Sequence, residues 1–451
     1  MAKTRTIHRC GECGAETPRW LGRCPECGTW GSLAEQAVVA RLHTGHAGSG
    51  ASAVPLAAVP RAAAPGAAHL ATGVGELDRV LGGGLVPGSV TLLGGEPGIG
   101  KSTLTLQAAA GVVRAHGPCL LVSGEESAEQ VSSRACRLGA TPEGLYVLAE
   151  RVLPDIDAVV RGLEPVMVVV DSIQTTTHPD VAGSAGSVSQ VRECAHALVH
   201  MAKTTGTAVV LVGHVTKEGD LAGPRVLEHA VDTVLSFEGD RHHALRMLRV
   251  VKHRFGPAQE LGVFEMRADG LADVPDPSGL FLADRRPGLA GSAVTAVLEG
   301  ARPLLVEVQA LVVGTNAPMP RRSAQGVDTG RLGMLLAVLE RHADIALTKA
   351  DVYVSVAGGL RVGEPGVDLA VAVAAAGASG GFGTLDGTVV VGELGLGGEV
   401  RQVAHGVRRL AEAARLGFRR AVVPRGTPGV EGMQVVCVDD VRAAVAAATT
   451  P

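Results

Sequence analysis

A chain of 451 residues with 46% hydrophobic content is long enough for two or three packed domains, which excludes a disordered protein. A formal net charge of −4 excludes an overall polycation, so any contact with nucleic acid has to come from local basic clusters. The first residues, MAKTRTIHRC, hold no apolar stretch of signal-peptide length and no later run reaches the length of a membrane span, so a cytoplasmic protein without membrane attachment is expected.

Four of the eight cysteines fall within the first 27 residues. Cys10, Cys13, Cys24 and Cys27 form two CxxC knuckles, each followed by a glycine that permits a tight turn. Four thiolates at this spacing suit tetrahedral Zn²⁺, which supplies folding energy that a segment of about 38 residues cannot draw from a core; a redox pair is the competing reading. Trp20 and Trp30 either pack against this metal module or serve as stacking or partner contacts. A zinc ribbon over 1–38 is therefore expected, followed over 39–70 by Ala, Gly, Pro and Val in linker proportions.

Residues 71–275 read as an α/β ATPase domain. A short helix (Gly75 to Leu81) and a glycine turn lead into an apolar strand, and then into Gly95, Glu96, Pro97, Gly98, Ile99, Gly100, Lys101, Ser102 and Thr103. This is a complete P-loop between a strand and a helix-like run from Leu104 to Val113. Its glycines let backbone N–H groups turn toward a phosphate, and the helix N-terminus adds a favourable dipole. Lys101 would hold the β- and γ-phosphates of ATP, and Ser102 would offer its hydroxyl to Mg²⁺.

The next strand, CLLVS, is expected beside the P-loop strand, with Glu125 at its end placed to orient the attacking water. Glu126 is the second choice, and a solvated acidic turn fits the local sequence equally well. The apolar run Val166 to Val170 ends in Asp171, a Walker B carboxylate on the Mg²⁺ side. A helix (Val191 to Met201) and a strand (Ala208 to Val212) follow, ending near His214, which is either a γ-phosphate sensor or an ordinary structural histidine. The alternating segment from Arg246 leads into Lys252-His253-Arg254; the two cations share one side of a strand and could reach a phosphate outside their own P-loop, or form a solvated strand end.

From Arg285 to the end, a second α/β domain is expected. A strand pair (SAVTAVLEGARPLLVEVQALV) precedes an amphipathic helix with Leu332, Leu335, Leu336 and Leu339 on one stripe. An apolar helix, Val367 to Ala376, lies between further strands, and an αβ finish begins at Arg419. Cys119, Cys136, Cys194 and Cys437 are read as packing residues.

The strings VSGEES, GHVTKEG and KHRFG behind a four-cysteine ribbon resemble the bacterial RadA (Sms) family of RecA-like, DnaB-like ATPases. That resemblance implies a homo-hexameric ring with ATP at its subunit interfaces and single-stranded DNA in its channel. The implied function is a DNA-dependent ATPase that translocates on single-stranded DNA and drives branch migration of recombination intermediates alongside the RecA recombinase, in DNA repair. Matched position by position, Lys101, Ser102 and Asp171 are the Walker residues, Glu125 the catalytic glutamate and His214 the polar sensor. Lys252 and Arg254 are the pair that reaches the neighbouring subunit's nucleotide; the residue between them is usually Asn, and here it is His253.

In a loop that grips DNA after His214, Lys217 and Arg225 are candidate phosphate contacts, and Arg321 with Arg322 would form a second contact if the last domain stacks under the ring. That domain resembles the Lon protease catalytic fold, but the matching stretch EPGVDLAVA has no serine, and GVRRLAEA offers Arg408 where a lysine is expected. An arginine cannot deprotonate to act as a base, so no peptidase activity is expected. A ring that answers to protein partners and an ATP-dependent protease are the readings set against the DNA motor.

Overall fold

The computed structural model describes residues 4–12, 16–17, 19–39, 69–214, 226–239, 245–258 and 260–449. Cys13, Lys217, Arg225, the side chain of His214 and most of the expected linker lie outside the described residues. The chain divides into two units, Met1–Asp273 and Val274–Pro451.

At the N-terminus, β1 (Thr4–Cys10), β2 (Glu16–Thr17) and β3 (Leu33–Val39) form a small antiparallel sheet in the order β2-β1-β3. Its buried cluster consists of Cys10, Cys24 and Leu33, two of them thiols, so packing alone supplies very little stabilisation here. Trp20 and Trp30 are 60% and 76% exposed, with an edge of each ring lying over Gly22 of this module.

The rest of the first unit begins with α1 (Gly75–Val80), β4 (Val90–Gly95) and α2 (Lys101–Ala115). It continues through β5 (Cys119–Ser123), α3 (Ala128–Arg137), β6 (Leu145–Leu148), α4 (Leu153–Leu163), β7 (Met167–Asp171), α5 (Val188–Thr205) and β8 (Ala208–His214). After α6 (Val226–Ala230) come β9 (Thr233–Glu238), β10 (Leu245–His253), β11 (Leu261–Arg267) and β12 (Gly270–Asp273). All nine strands share one sheet in the order β12-β11-β10-β9-β4-β8-β7-β5-β6. The strands from β6 to β9 are parallel, and the chain then turns back on itself through β10, β11 and β12.

Strand alternation explains why the parallel strands are continuous apolar runs: each must feed two cores. Leu93, Leu121, Val169 and Val210 point to one core with Leu104 and Ala108 of α2, whereas Leu92, Leu120, Val168 and Leu211 point to the other with Ile156 of α4 and Leu198 of α5. Register brings the C-terminal ends together, pairing Ser123 with Asp171, Asp171 with Val212 and Gly95 with His214. One expectation is corrected: β5 does not lie beside the P-loop strand, because β8 and β7 stand between them.

The second unit contains α7 (Pro277–Phe281), β13 (Ser292–Glu299), β14 (Arg302–Gly314), β15 (Arg322–Gln325), α8 (Thr329–His342) and β16 (Ala350–Val356). There follow α9 (Asp368–Gly380), β17 (Thr388–Val390), a short ladder of β18 (Glu393–Leu394) with β19 (Val400–Arg401), α10 (Gly406–Arg415), β20 (Arg420–Pro424), β21 (Gln434–Val438) and α11 (Val441–Thr449). Its seven-stranded mixed sheet runs β15-β16-β14-β13-β17-β20-β21. After its first residue, Asp368, helix α9 is apolar on every face through Gly377, as its burial on all sides requires. The stripe on α8 (Leu332, Leu335, Leu336, Leu339) is buried as its period requires.

Of the four cysteines read as packing residues, Cys119 and Cys194 are buried, but Cys136 and Cys437 are exposed. Burial pushes the Cys119 thiol up to about 12 and the Cys194 thiol up to about 11. Among the described residues, no helix is long and apolar enough to cross a membrane.

Candidate functional site

The strand β4 runs into the glycine loop and α2 begins at Lys101, so the strand, loop and helix stand in the order the motif requires. At Gly95 the backbone passes close to β9, and a Cβ there would lie 2.5 Å from the carbonyl oxygen of Phe237. Only glycine allows that approach. Lys101 is buried, and its Nζ donates to the carbonyls of Gly95 at 2.8 Å and Glu96 at 2.9 Å. Burial lowers its pKa from the ordinary lysine value, while the charges of Asp171 and Glu125 act in the opposite direction.

An open cavity of ≈ 680 Å³ lies over this loop. It is lined by Pro97, Gly98 and Gly100 to Thr103 from the loop and α2, by Ser123 at the end of β5 with Glu125 and Glu126 just after it, by Asp171 at the end of β7 and by Arg134 of α3. The structure thus brings Lys101, Ser102, Glu125 and Asp171 to one space, although they come from three different strand ends.

The turn that carries Glu125 is stitched to the turn after β7. The Gly124 N–H donates to the Asp171 carbonyl at 2.8 Å, the Gly124 carbonyl accepts from Arg151 Nε at 2.6 Å, and Ser172 Oγ donates to Glu125 Oε1 at 2.9 Å. Thr175 Oγ1 donates to the Ser172 carbonyl at 2.8 Å, and a Cβ on Gly124 would sit 2.0 Å from that same Oγ1. Position 124 therefore has to be glycine for Glu125 to take up its place. Next to it, Glu126 forms an ion pair with Arg134.

Lys252 and Arg254 lie elsewhere. Lys252 Nζ donates to the carbonyls of Glu228 at 2.6 Å and Val231 at 2.7 Å, and Arg254 pairs with Asp232 at 3.0 Å, half of its side chain remaining exposed. Desolvation first, and then the charge of Arg254, lower the Lys252 pKa. His253 is half-buried with Nδ1 2.9 Å from Thr233 Oγ1, and burial lowers its pKa. Neither cation lines the cavity of its own P-loop. His214 ends β8 opposite Gly95.

In the N-terminal module, the Sγ atoms of Cys10, Cys24 and Cys27 lie within 4.8 Å of one another, and those of Cys10 and Cys27 are 3.6 Å apart. Ser32 and Thr29 hydroxyls lie against Cys10 and Cys27, at 3.1 and 3.4 Å. Three converging thiols separated by a tight turn fit a tetrahedral metal, with Cys13 as the fourth knuckle position outside the described residues. In the second unit, Arg322 donates to the carbonyls of Leu347, at 2.9 Å, and Ala350, so its guanidinium is engaged within its own chain, whereas Arg321 is exposed. Sequence reasoning missed two buried ion pairs, Arg331 with Asp368 and Arg409 with Glu364, because each joins positions far apart in the chain.

Residues 66–220 match the family described as AAA domain, residues 8–35 the rubredoxin metal binding domain, and residues 336–427 subunit ChlI of Mg-chelatase. The chain is 48% identical to the DNA repair protein RadA of Halalkalibacterium halodurans, over 94% of this chain and 93% of that one. It is 44% identical to the protein of the same name from Bacillus subtilis, over 99% of both chains, and 47% identical to that of Synechocystis, over 99% and 95%. A solved structure of an ATPase domain aligns with 46% of this chain and 92% of its own, at 15% identity and a TM-score of 0.41. A RecA-like P-loop core behind a zinc-ribbon module, together with relatives that match it from end to end, makes the chain a member of the RadA family of DNA repair proteins.

Proposed function

We propose that this protein is a DNA-dependent ATPase that translocates on single-stranded DNA and drives branch migration in recombination and repair, as a homo-hexamer working with a RecA-type recombinase on branched DNA. The observation that carries the ATPase reading is the single cavity shared by Lys101, Ser102, Glu125 and Asp171. Lys101, already stripped of water, would give up its two loop carbonyls for the β- and γ-phosphates, a stronger charge-assisted contact. Ser102 and Asp171 would hold Mg²⁺, which when bound neutralises phosphate charge. Glu125, fixed by Ser172, would orient the attacking water.

Arg254 would act on the neighbouring subunit's nucleotide, where a guanidinium stabilises charge spreading over the γ-phosphate. Its half-exposed position outside its own cavity supports that role. His214, at the strand end beside the P-loop, would relay the state of the nucleotide to a DNA loop carrying Lys217 and Arg225, with Arg321 and Arg322 as further DNA contacts. The domain limits that go with this reading are 1–38, 71–275 and 285–451. The C-terminal domain would be a scaffold without peptidase activity: Asp368, at the place of the nucleophile, is fully buried and paired with Arg331, and Arg408 is exposed.

The test is steady-state ATP hydrolysis with and without single-stranded DNA at two salt concentrations. Stimulation by DNA that salt erodes, with Lys101→Ala silent, is the expected result. Robust turnover that ignores DNA at both salts would reject the motor and leave an ATPase responding to another partner.

A further inference from the structure

The cavity contains a cation that the reading above does not use. Arg134 lines it from α3, on the same helix face as Gln130 and Arg137. Its guanidinium is paired with the carboxylate of Glu126, the neighbour of Glu125. Arg134 is the deeper partner, with 19% of its side chain exposed against 40% for Glu126. The backbone of Glu126 is pinned, its N–H donating to Ser123 Oγ at 3.0 Å and its carbonyl accepting from that hydroxyl at 2.9 Å. The Nε of Arg134 is buried and has no hydrogen-bond partner among the described residues. Desolvation lowers the pKa of this guanidinium, and the charge of Asp171 is the largest influence opposing it.

Arg134 lines the cavity while its Nε is buried and unpartnered, so the guanidinium is incompletely satisfied. Its fork of donors suits a phosphate better than one partly solvated carboxylate. The charge of Asp171 acts on Arg134 as it does on Lys101, and all three residues line the same cavity.

We propose that Arg134 is a second phosphate-binding cation of the same subunit, held by Glu126 when no nucleotide is present and released to the terminal phosphate when ATP enters. The exchange replaces a carboxylate with a more highly charged anion, and the freed Glu126 side chain, already partly exposed, returns to water. Glu126 thereby competes with the γ-phosphate but not with a diphosphate, so the pair sets discrimination between ATP and ADP. This rests on the ATPase reading.

Dissociation constants of the full chain for a fluorescent non-hydrolysable ATP analogue and for fluorescent ADP would test it. Arg134→Gln is expected to weaken the analogue roughly tenfold while leaving ADP within about twofold. Glu126→Gln should tighten the analogue, the double variant should behave like Arg134→Gln, and Arg134→Lys should recover part of the discrimination. Retained ADP binding shows that each variant is folded. Equal weakening of both nucleotides by Arg134→Gln would make the residue structural and overturn the proposal, as would no change or a weakening by Glu126→Gln. If Lys101→Ala abolishes binding but Arg134→Gln matches wild type, the proposal fails alone. A wild type that binds neither nucleotide removes the ATPase reading and the proposal together.

Discussion

Gly124 shows how one missing side chain can place a reactive group. The backbone at 124 is tied on both sides, to Asp171 and to Arg151, and the space a Cβ would occupy belongs to Thr175. Gly124→Ala has to push the 123–126 turn away from the 172–175 turn, which breaks the Ser172 to Glu125 contact. Overpacking of this kind costs about 1–3 kcal/mol. The expected outcome is a modest loss of stability in urea with a disproportionate fall in kcat, and partial recovery in Gly124→Ala/Thr175→Ala, which removes the nearest atom. An unchanged kcat would mean that the turn does not position Glu125. Nothing local to the string SGEES announces Thr175 as the obstacle, since it lies 51 positions further on. The P-loop, by contrast, was legible because strand, loop and helix are contiguous and all its chemistry is local.

At the scale of elements, the second unit holds two helices together through charge. Asp368, the first residue of α9, is fully buried, and its carboxylate accepts from Arg331 of α8 and from the Leu394 N–H at 3.2 Å. Arg331 is driven to a higher pKa first by its hydrogen bond to Asp368, so the cation is secure at any working pH. Arg331→Ala would leave a buried carboxylate without its counter-charge, which typically costs about 3–5 kcal/mol. Arg331→Ala/Asp368→Ala should be less destabilised than the single Arg331→Ala variant, because no orphan charge remains; urea titrations of the three proteins decide it, and a double variant that is the least stable would show the pair to be net stabilising. The strands and helices around this pair were legible from hydrophobic period, as on α8 and α9. Strand order was not: the separation of β5 from β4 by two intervening strands depends on register between distant segments, which no local pattern encodes.

For the whole molecule, the placement of Arg254 decides whether hydrolysis requires assembly. Within its own subunit, Arg254 is bound to Asp232, whose other carboxylate oxygen accepts from the Val90 N–H at 3.1 Å at the start of the P-loop strand. The cation is therefore tied, through Asp232, to the first residue of the strand that leads into its own P-loop, while lying outside its own cavity. In a ring, the same linkage would let the state of one nucleotide adjust the cation offered to the next. Lys101→Ala and Arg254→Ala should each be inactive alone, the first lacking a phosphate ligand and the second the neighbour's cation. When equal amounts are co-assembled, sites with an intact P-loop facing an intact arginine form at about one interface in four, if pairing is random and sites are independent. Basal hydrolysis without DNA, where sites need not fire in order, should recover to about that fraction of wild type. A co-assembled mixture as silent as its components would place Arg254 in its own subunit's service, acting through Asp232 on β4, and hydrolysis would then report nothing about the neighbour.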